Sequence, residues 1–147
     1  MSELNQLYQR VILDHNKNPR NFYKPDGSNR KAEGYNPVCG DQITIHARLD
    51  GGMVREIGFQ GSGCAISRAS ASLMTEAVKG KNRSETQTIF ESLQRMLSGA
   101  GFESDEPGGL NALSGVRRFP VRIKCALLPW QTLIAALDEK AESVSTE

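Results

Sequence analysis

The chain has 147 residues, of which 38% are hydrophobic and 24% are charged, and its formal net charge is +1. This length and composition indicate a single soluble domain over residues 1–147, and the near-zero charge argues against a nucleic-acid or membrane-surface partner. Because there is no apolar run of ~18 residues and no signal-peptide layout at the N-terminus, we expect a cytoplasmic protein whose thiols are kept reduced.

The N-terminal segment predicts an amphipathic helix and then a long connection. Asn18-Pro19 ends the helix, because the residue before proline is driven out of the helical region. Residues 17–31 are polar and carry turn signals, which predicts a surface loop. The apolar stripe of the helix comprises Leu4, Leu7, Tyr8, Val11 and Ile12.

A small antiparallel sheet is predicted next. Residues 42–49 alternate between polar and apolar side chains, Asp50-Gly51-Gly52 predicts a hairpin turn, and residues 54–60 return as the partner strand. A short strand over residues 32–35 completes a three-stranded sheet, since two strands alone are marginal.

The period then becomes helical. One helix begins at Ala65 and ends at Gly80, and Ser84-x-x-Gln87 predicts a capping box for the next helix, which ends at Gly99. Residues 99–109 are rich in glycine and acidic residues and predict an excursion away from the core.

The C-terminal third predicts two further helical pieces. The last helix runs from about Cys125 to Lys140; counted after Cys125, Pro129 is among its first four positions, where a missing N–H costs little. Residues 141–147 predict a frayed tail. Before the last helix, a short helical turn carries Leu110, Leu113 and Val116. The order of elements therefore predicts an α+β fold, with helices packed on one face of the sheet.

The chain contains three cysteines, and each lies at a junction between a loop and an element of secondary structure. Cys39 and Asp41 are two apart in an extended segment, so both can face one ion, and Gly40 permits an unusual backbone angle between them. Cys64 and Cys125 each open a predicted helix, whose positive end favours a thiolate. Three thiolates and one carboxylate suit zinc, and the thiolates also suit an iron–sulfur cluster.

Other interpretations of these residues are simpler. A cysteine can be just a small buried hydrophobe, and on spacing alone a structural zinc site is the stronger alternative. We expect His15 and His46 to be solvated surface residues. The basic run over residues 117–124 either forms a solvated face or lets Arg122 or Lys124 stabilise the nearby thiolate, or a persulfide formed on it.

In order along the chain, these motifs resemble the U-type iron–sulfur cluster assembly proteins (NifU N-terminal, IscU and SufU). The resemblance covers nearly the whole chain and is strongest for the SufU branch, which also has a longer segment between its second and third cysteines and a lysine at the position of Lys124. The segment by which IscU proteins bind their chaperone is missing, and residues 115–120 stand in its place. The motifs are Leu7-Tyr8 through His15, Asn18-Pro19-Arg20-Asn21, Asn36-Pro37-x-Cys39-Gly40-Asp41, Phe59-x-Gly61-x-Gly63-Cys64-Ala65-Ile66-Ser67, Ala69-Ser70-Ala71-Ser72 and Phe119-Pro120-x-Arg122-Ile123-Lys124-Cys125.

The resemblance implies a role in sulfur transfer. Zinc would be bound by Cys39, Asp41, Cys64 and Cys125, and the sulfur would come from SufS, a PLP-dependent cysteine desulfurase. Cys39 would be the acceptor, released from the metal when a histidine of the desulfurase takes its place. The protein would then be a sulfurtransferase-like co-substrate of the desulfurase more than a stand-alone enzyme, and would pass sulfur to downstream assembly proteins.

Two further functions stay open from the sequence. The same cysteines could hold iron or a [2Fe–2S] cluster, which would make the protein a scaffold that builds the cluster and transfers it. Alternatively, the chain is an interaction module with a purely structural zinc.

Overall fold

The computed structural model describes residues 3–98, 107–138 and 143–145 and contains helices on a small sheet. Along the chain the elements are α1 (Glu3–Lys17), β1 (Arg30–Asn36), β2 (Asp41–Asp50), β3 (Met53–Ser62), α2 (Ala65–Val78), α3 (Arg83–Ser98), a 3-10 helix (Pro107–Arg118), α4 (Pro120–Asp138) and β4 (Ser143–Ser145).

The sheet has the strand order β3-β2-β1-β4. Strands β1 and β3 both pair antiparallel with β2, which confirms the predicted three-stranded antiparallel sheet. The fourth strand pairs in parallel with residues 33–35 of β1. This strand lies in the segment 141–147, which was predicted to be a frayed tail. For Ser143–Ser145 that prediction is wrong, and the rest of the segment lies outside the described residues.

The core lies between the helices and one face of the sheet, as the α+β prediction requires. Ile43, Ile45 and Ala47 of β2 point into it, and Trp130 of α4 is its largest fully buried side chain. The 3-10 helix adds the three apolar residues predicted for it, all buried. No helix in the described ranges is long and apolar enough to cross a membrane.

The connection between α1 and β1 covers part of the opposite face of the sheet. A Cβ placed on Gly58 would meet the Tyr23 carbonyl oxygen and Pro25, so the main chain of the connection runs directly over β3. His46 is the cross-strand partner of Gly58 and is only 5% exposed. The prediction that His46 is solvated is therefore wrong, because the polar face of β2 is covered by backbone.

The starts of α3 and α4 also differ from prediction. The capping box of α3 consists of Asn82 and Glu85: Glu85 N–H donates to Asn82 Oδ1 (2.8 Å), and Asn82 N–H donates to Glu85 Oε1 (3.0 Å). The predicted pair, Ser84 and Gln87, therefore lies inside the helix. Helix α4 begins at Pro120, a favourable first helical position, so Pro129 is internal and removes the hydrogen bond to the Cys125 carbonyl.

His15 is buried, contrary to the prediction of a surface histidine. Its Nδ1 lies 2.7 Å from Ser72 Oγ, which also accepts the Arg20 N–H (2.8 Å), and its Nε2 lies 3.8 Å from Glu76 Oε1. The side chain therefore ties the end of α1 to α2 and to the start of the connection. Such a contact is long-range, which is why helical spacing alone did not reveal it.

The two buried histidines predict a pH-dependent stability. Burial is the main cause that lowers the pKa of each below the usual 6.5, and nearby cations (Arg20 for His15, Lys24 and Lys31 for His46) act in the same direction. The unfolded chain therefore binds more protons as the pH falls through 6.5, and the free energy of unfolding decreases below that pH.

We expect urea unfolding to show lower stability at about pH 5.5 than at about pH 7.5. In a His15→Asn/His46→Gln double variant, the loss between these two pH values should be clearly smaller than in the wild type. An identical loss in both proteins would show that other groups cause it.

Candidate metal centre

Cys39 and Asp41 lie on the turn that joins β1 to β2. Asn36 and Asp41 are cross-strand partners that close the turn, and the Cys39 N–H donates to the Asn36 carbonyl oxygen (3.3 Å). Gly40 lies between the two predicted ligands with φ +72°, a left-handed conformation that favours glycine. Cys39 is partly exposed, whereas Asp41 is only 2% exposed.

Cys64 is the N-cap of α2. Its backbone N–H donates to Asp41 Oδ1 (2.8 Å), and its Sγ accepts the N–H of Ser67 (3.4 Å). The Sγ also lies 3.9 Å from Asp41 Oδ2. The prediction that Cys64 stands at the start of a helix is correct, and the carboxylate of Asp41 links it to the β1–β2 turn.

Cys125 reaches the same place from inside α4. It is 0% exposed, and its Sγ lies 3.0 Å from Cys39 Sγ. Because α4 begins at Pro120, Cys125 lies in the second helical turn, where the field of the helix end has faded. Burial, then the hydrogen bonds with Cys39 and Asp41, raise the pKa of the metal-free thiol. The prediction of a thiolate favoured by the helix end is therefore wrong for Cys125.

The donor atoms of Cys39, Asp41 and Cys125 all lie within 4.8 Å of one another. Cys64 is outside this group, although its Sγ approaches the same carboxylate. Ligands of a tetrahedral zinc with Zn–S bonds of about 2.3 Å are separated by about 3.8 Å. The sulfurs of Cys39 and Cys125 would therefore move apart by less than an ångström on binding the ion. The chemistry of all four side chains suits zinc, and the structure brings three of them, Cys39, Asp41 and Cys125, within reach of one ion.

Arg122 lies over the same cluster. Its Nη1 is 3.6 Å from Cys39 Sγ, and the guanidinium is exposed. A hydrogen bond with Cys125, then the charges of Cys64 and Cys39, raise its pKa. Lys124, the other cation considered from the sequence, is exposed, and the described structure gives it no hydrogen bond with any cysteine.

An apolar groove of about 420 Å³ opens beside Arg122. Its walls come from α1 and from the 3-10 helix, with Leu13 and Phe119 exposed on the two sides. Gly115, Val116, Arg118 and Phe119 form part of this groove. The groove therefore places an exposed apolar surface next to the cysteine cluster.

The sequence interpretation missed two residues of the site, Asn36 and Gly63. Asn36 is fully buried, and its Nδ2 lies 3.4 Å from Cys125 Sγ. Gly63 precedes Cys64, and a Cβ placed on it would lie 2.8 Å from Asp41 Oδ1. Both residues belong to the motifs quoted from the sequence, but only the tertiary structure shows which side chains they face.

The close approach at Gly63 makes a prediction for metal affinity. In Gly63→Ala the new methyl group should push the Asp41 carboxylate aside and break its 2.8 Å hydrogen bond with Cys64 N–H. Because Asp41 is buried and loses this hydrogen bond, we expect the free energy of unfolding to fall by about 1–3 kcal/mol. Zinc binding should be weaker by about ten- to a hundredfold, as for other changes that displace a ligand's support.

Zinc affinity measured by chelator competition tests this prediction. Gly115→Ala is the matched control, because a Cβ there meets no atom within 4 Å. Equal affinity of the Gly63→Ala variant and the control would contradict a ligand role for Asp41.

Comparison with known proteins gives consistent matches over most of the chain. Residues 7–139 match the family model described as NifU-like N terminal domain. The chain is 43% identical over 133 residues to the zinc-dependent sulfurtransferase SufU of Bacillus subtilis (strain 168), a match that covers 90% of each protein. It is 38% identical over 144 residues to the iron–sulfur cluster assembly scaffold protein IscU of Streptococcus pyogenes serotype M1, covering 97% of this chain and 90% of that protein.

A solved structure shares the fold. It is described as an iron–sulfur cluster assembly scaffold protein for the SUF system from Fervidobacterium islandicum AW-1, and it superposes with a TM-score of 0.83 at 34% identity. The match covers 90% of this chain and 98% of that one. The resemblance inferred from the cysteine motifs is thereby confirmed.

Proposed function

This chain belongs to the NifU-like N terminal domain family, and from that premise we propose that it is a zinc-dependent sulfur acceptor in iron–sulfur cluster assembly. The observation that carries the proposal is the position of Cys39. Its thiol is partly exposed on a turn, yet it lies within 4.8 Å of the donor atoms of Asp41 and Cys125. It can therefore serve as a ligand and also meet a sulfur donor.

Zinc would be held by Asp41, Cys64, Cys125 and, at rest, Cys39. When bound, the ion keeps the thiols deprotonated without redox chemistry of its own, and it tolerates exchange of a ligand. Asp41 and Cys125 are almost fully buried and stay in place. Cys39 and Cys64 are both partly exposed, but Cys64 is fixed as the N-cap of α2, so Cys39, on the exposed turn, is the ligand with more room to leave.

Sulfur transfer would then be a thiol exchange in which atoms and electrons balance. The Cys39 thiolate attacks the terminal sulfur of a persulfide on the donor protein. A new S–S bond forms at Cys39, the S–S bond of the donor breaks, and the donor cysteine leaves as a thiolate. The terminal sulfur moves with its proton, so no external oxidant or reductant is needed.

Arg122 would support this step. Its guanidinium is 3.6 Å from Cys39 Sγ and exposed, so it can follow the sulfur as Cys39 moves. A cation at this distance stabilises a thiolate and the negative charge of a persulfide. The side chain of Arg122 is directed at the cluster and that of Lys124 is not, so we assign this role to Arg122.

The donor would be a PLP-dependent cysteine desulfurase of the SufS type, and the recipients would be downstream assembly proteins. The name of the Bacillus subtilis relative, a zinc-dependent sulfurtransferase, supports this choice. The apolar groove beside Arg122 offers contact area for such a partner next to the cysteines.

The metal content tests the proposal. Protein purified without oxygen should be colourless and contain zinc in about a one-to-one ratio to the chain, as a single tetrahedral site requires. Asp41→Ala and Cys64→Ser should lose the zinc. Glu56→Ala, which removes a carboxylate elsewhere on the sheet, should keep it. Zinc retained by both site variants would contradict the ligand assignment.

A scaffold function is the second candidate, and the name of the Streptococcus pyogenes relative favours it. In that case the cysteines would hold a [2Fe–2S] cluster. A brown protein with iron and sulfide, stable through purification, would replace the acceptor proposal with the scaffold.

A further inference from the structure

Asn36 contacts the cysteine cluster from β1 at several points. It is the last residue of the strand and the cross-strand partner of Asp41. Its carbonyl oxygen accepts the Cys39 N–H (3.3 Å), and its side-chain Nδ2 donates to Cys125 Sγ (3.4 Å). Asn36 therefore contacts both the turn that carries Cys39 and the sulfur atom of Cys125.

The fold alone does not favour an asparagine here. The side chain is 0% exposed, and within the part of the chain that the structure describes its Oδ1 has no hydrogen-bond partner. A buried acceptor without a partner is destabilising, and an apolar residue of similar shape would avoid that cost. We therefore attribute the presence of an asparagine to its side-chain N–H donor, which is directed at Cys125 Sγ.

The two neighbouring sulfurs have different surroundings. Cys125 is fully buried in α4, and a neutral, buried amide donates to it in addition to the guanidinium of Arg122. Cys39 lies on an exposed turn and has the exposed guanidinium of Arg122 as its donor. A buried amide holds the Cys125 sulfur in one position. An exposed guanidinium can move together with the Cys39 sulfur.

We propose that Asn36 is a positioning residue that keeps Cys125 in the ligand set, so that Cys39 is the thiolate released to accept sulfur. This inference rests on the proposed function. The physical reason is that an N–H···S bond to a charged sulfur restricts that sulfur to one direction and is stronger than a neutral hydrogen bond. Without the bond, either sulfur could leave the metal.

Alkylation of the zinc-loaded protein, followed residue by residue with mass spectrometry, tests the inference. In the wild type we expect Cys39 to react first and Cys125 last. In Asn36→Leu, which keeps a similar shape without a donor, Cys125 should react about tenfold faster or more, and Cys39 at the wild-type rate. Thr86→Val is the control. It removes another buried polar atom that has no partner among the described residues, and it lies on α3, which carries no predicted ligand.

The outcomes separate this inference from the function on which it rests. If Cys39 reacts first in the wild type but Cys125 is unchanged in Asn36→Leu, only the role of Asn36 is overturned. An equal increase at all three cysteines would show general loosening and would also overturn it. If Cys39 is not the most reactive cysteine of the wild type, the sulfur-acceptor proposal fails as well.

A second measurement needs no variant and decides the matter if Asn36→Leu does not fold. In wild-type protein loaded with an NMR-active cadmium isotope in place of zinc, the Asn36 side-chain N–H should show scalar coupling to the metal. Such coupling passes through an N–H···S bond to a metal-bound sulfur. Its absence in a protein with cadmium bound would overturn the inference.

Discussion

Cys39→Ser is expected to abolish sulfur acceptance while leaving the fold intact. The hydroxyl group that replaces the thiol is a poor nucleophile at neutral pH, and it cannot attack a persulfide sulfur. Stimulation of a cysteine desulfurase by this chain should therefore fall to the background rate. Desulfurase turnover, followed as alanine or sulfide released, measures this directly.

Two further variants help to interpret the result for Cys39→Ser. Val38→Ser changes an exposed neighbour on the same turn but keeps the thiol, so it should retain stimulation. Arg122→Gln, which removes the cation 3.6 Å from Cys39 Sγ, should give partial activity. Full stimulation by a folded Cys39→Ser protein would exclude Cys39 as the acceptor, and unfolding of that variant would instead favour a purely structural zinc.

Gly34→Ala should cause a large loss of stability. Gly34 lies in β1 against α4, and an added Cβ would overlap Thr132 Oγ1 and lie 3.0 Å from Leu128 Cδ1. Thr132 cannot easily turn away, because its hydroxyl donates to the Leu128 carbonyl oxygen (2.7 Å). Overpacking at such a site costs about 3 kcal/mol or more of the free energy of unfolding, measured by urea denaturation.

A double-mutant cycle identifies the cause. Thr132→Ala removes the obstructing oxygen, so Gly34→Ala/Thr132→Ala should be more stable than the sum of the two single changes by about 1 kcal/mol or more. Strict additivity would mean that the strain arises elsewhere. The packing of β1 on α4 matters for the metal centre, because these two elements bring Asn36 and Cys125 together there.

The sequence predicted the elements whose pattern is local. Strand β2 shows period-two alternation and α2 shows helical spacing, so both were placed correctly. Strand β4 was missed because three residues, Ser-Val-Ser, carry no pattern and gain their conformation from pairing with β1. The start of α4 was missed because basic residues precede Cys125 and because Pro129 resembled an N-terminal proline.

Burial on the outer face of the sheet could not be predicted in the same way. His46 alternates onto the polar side of β2, and the sequence gives no sign that the backbone of the α1–β1 connection crosses that side. The chemistry of the four predicted ligands was readable, but their convergence was not. Cys39 and Cys125 are brought within 3.0 Å by the packing of α4 on β1, which no sequence spacing encodes.

The most direct measurement is to locate the transferred sulfur. The zinc-loaded chain would be incubated with a cysteine desulfurase and cysteine, quenched with an alkylating agent and digested, and the peptides would be weighed by mass spectrometry. We expect the mass of one added sulfur atom on the peptide that contains Cys39, and none on those that contain Cys64 or Cys125. Sulfur on Cys125 instead, or on no cysteine while the desulfurase turns over, would contradict the account.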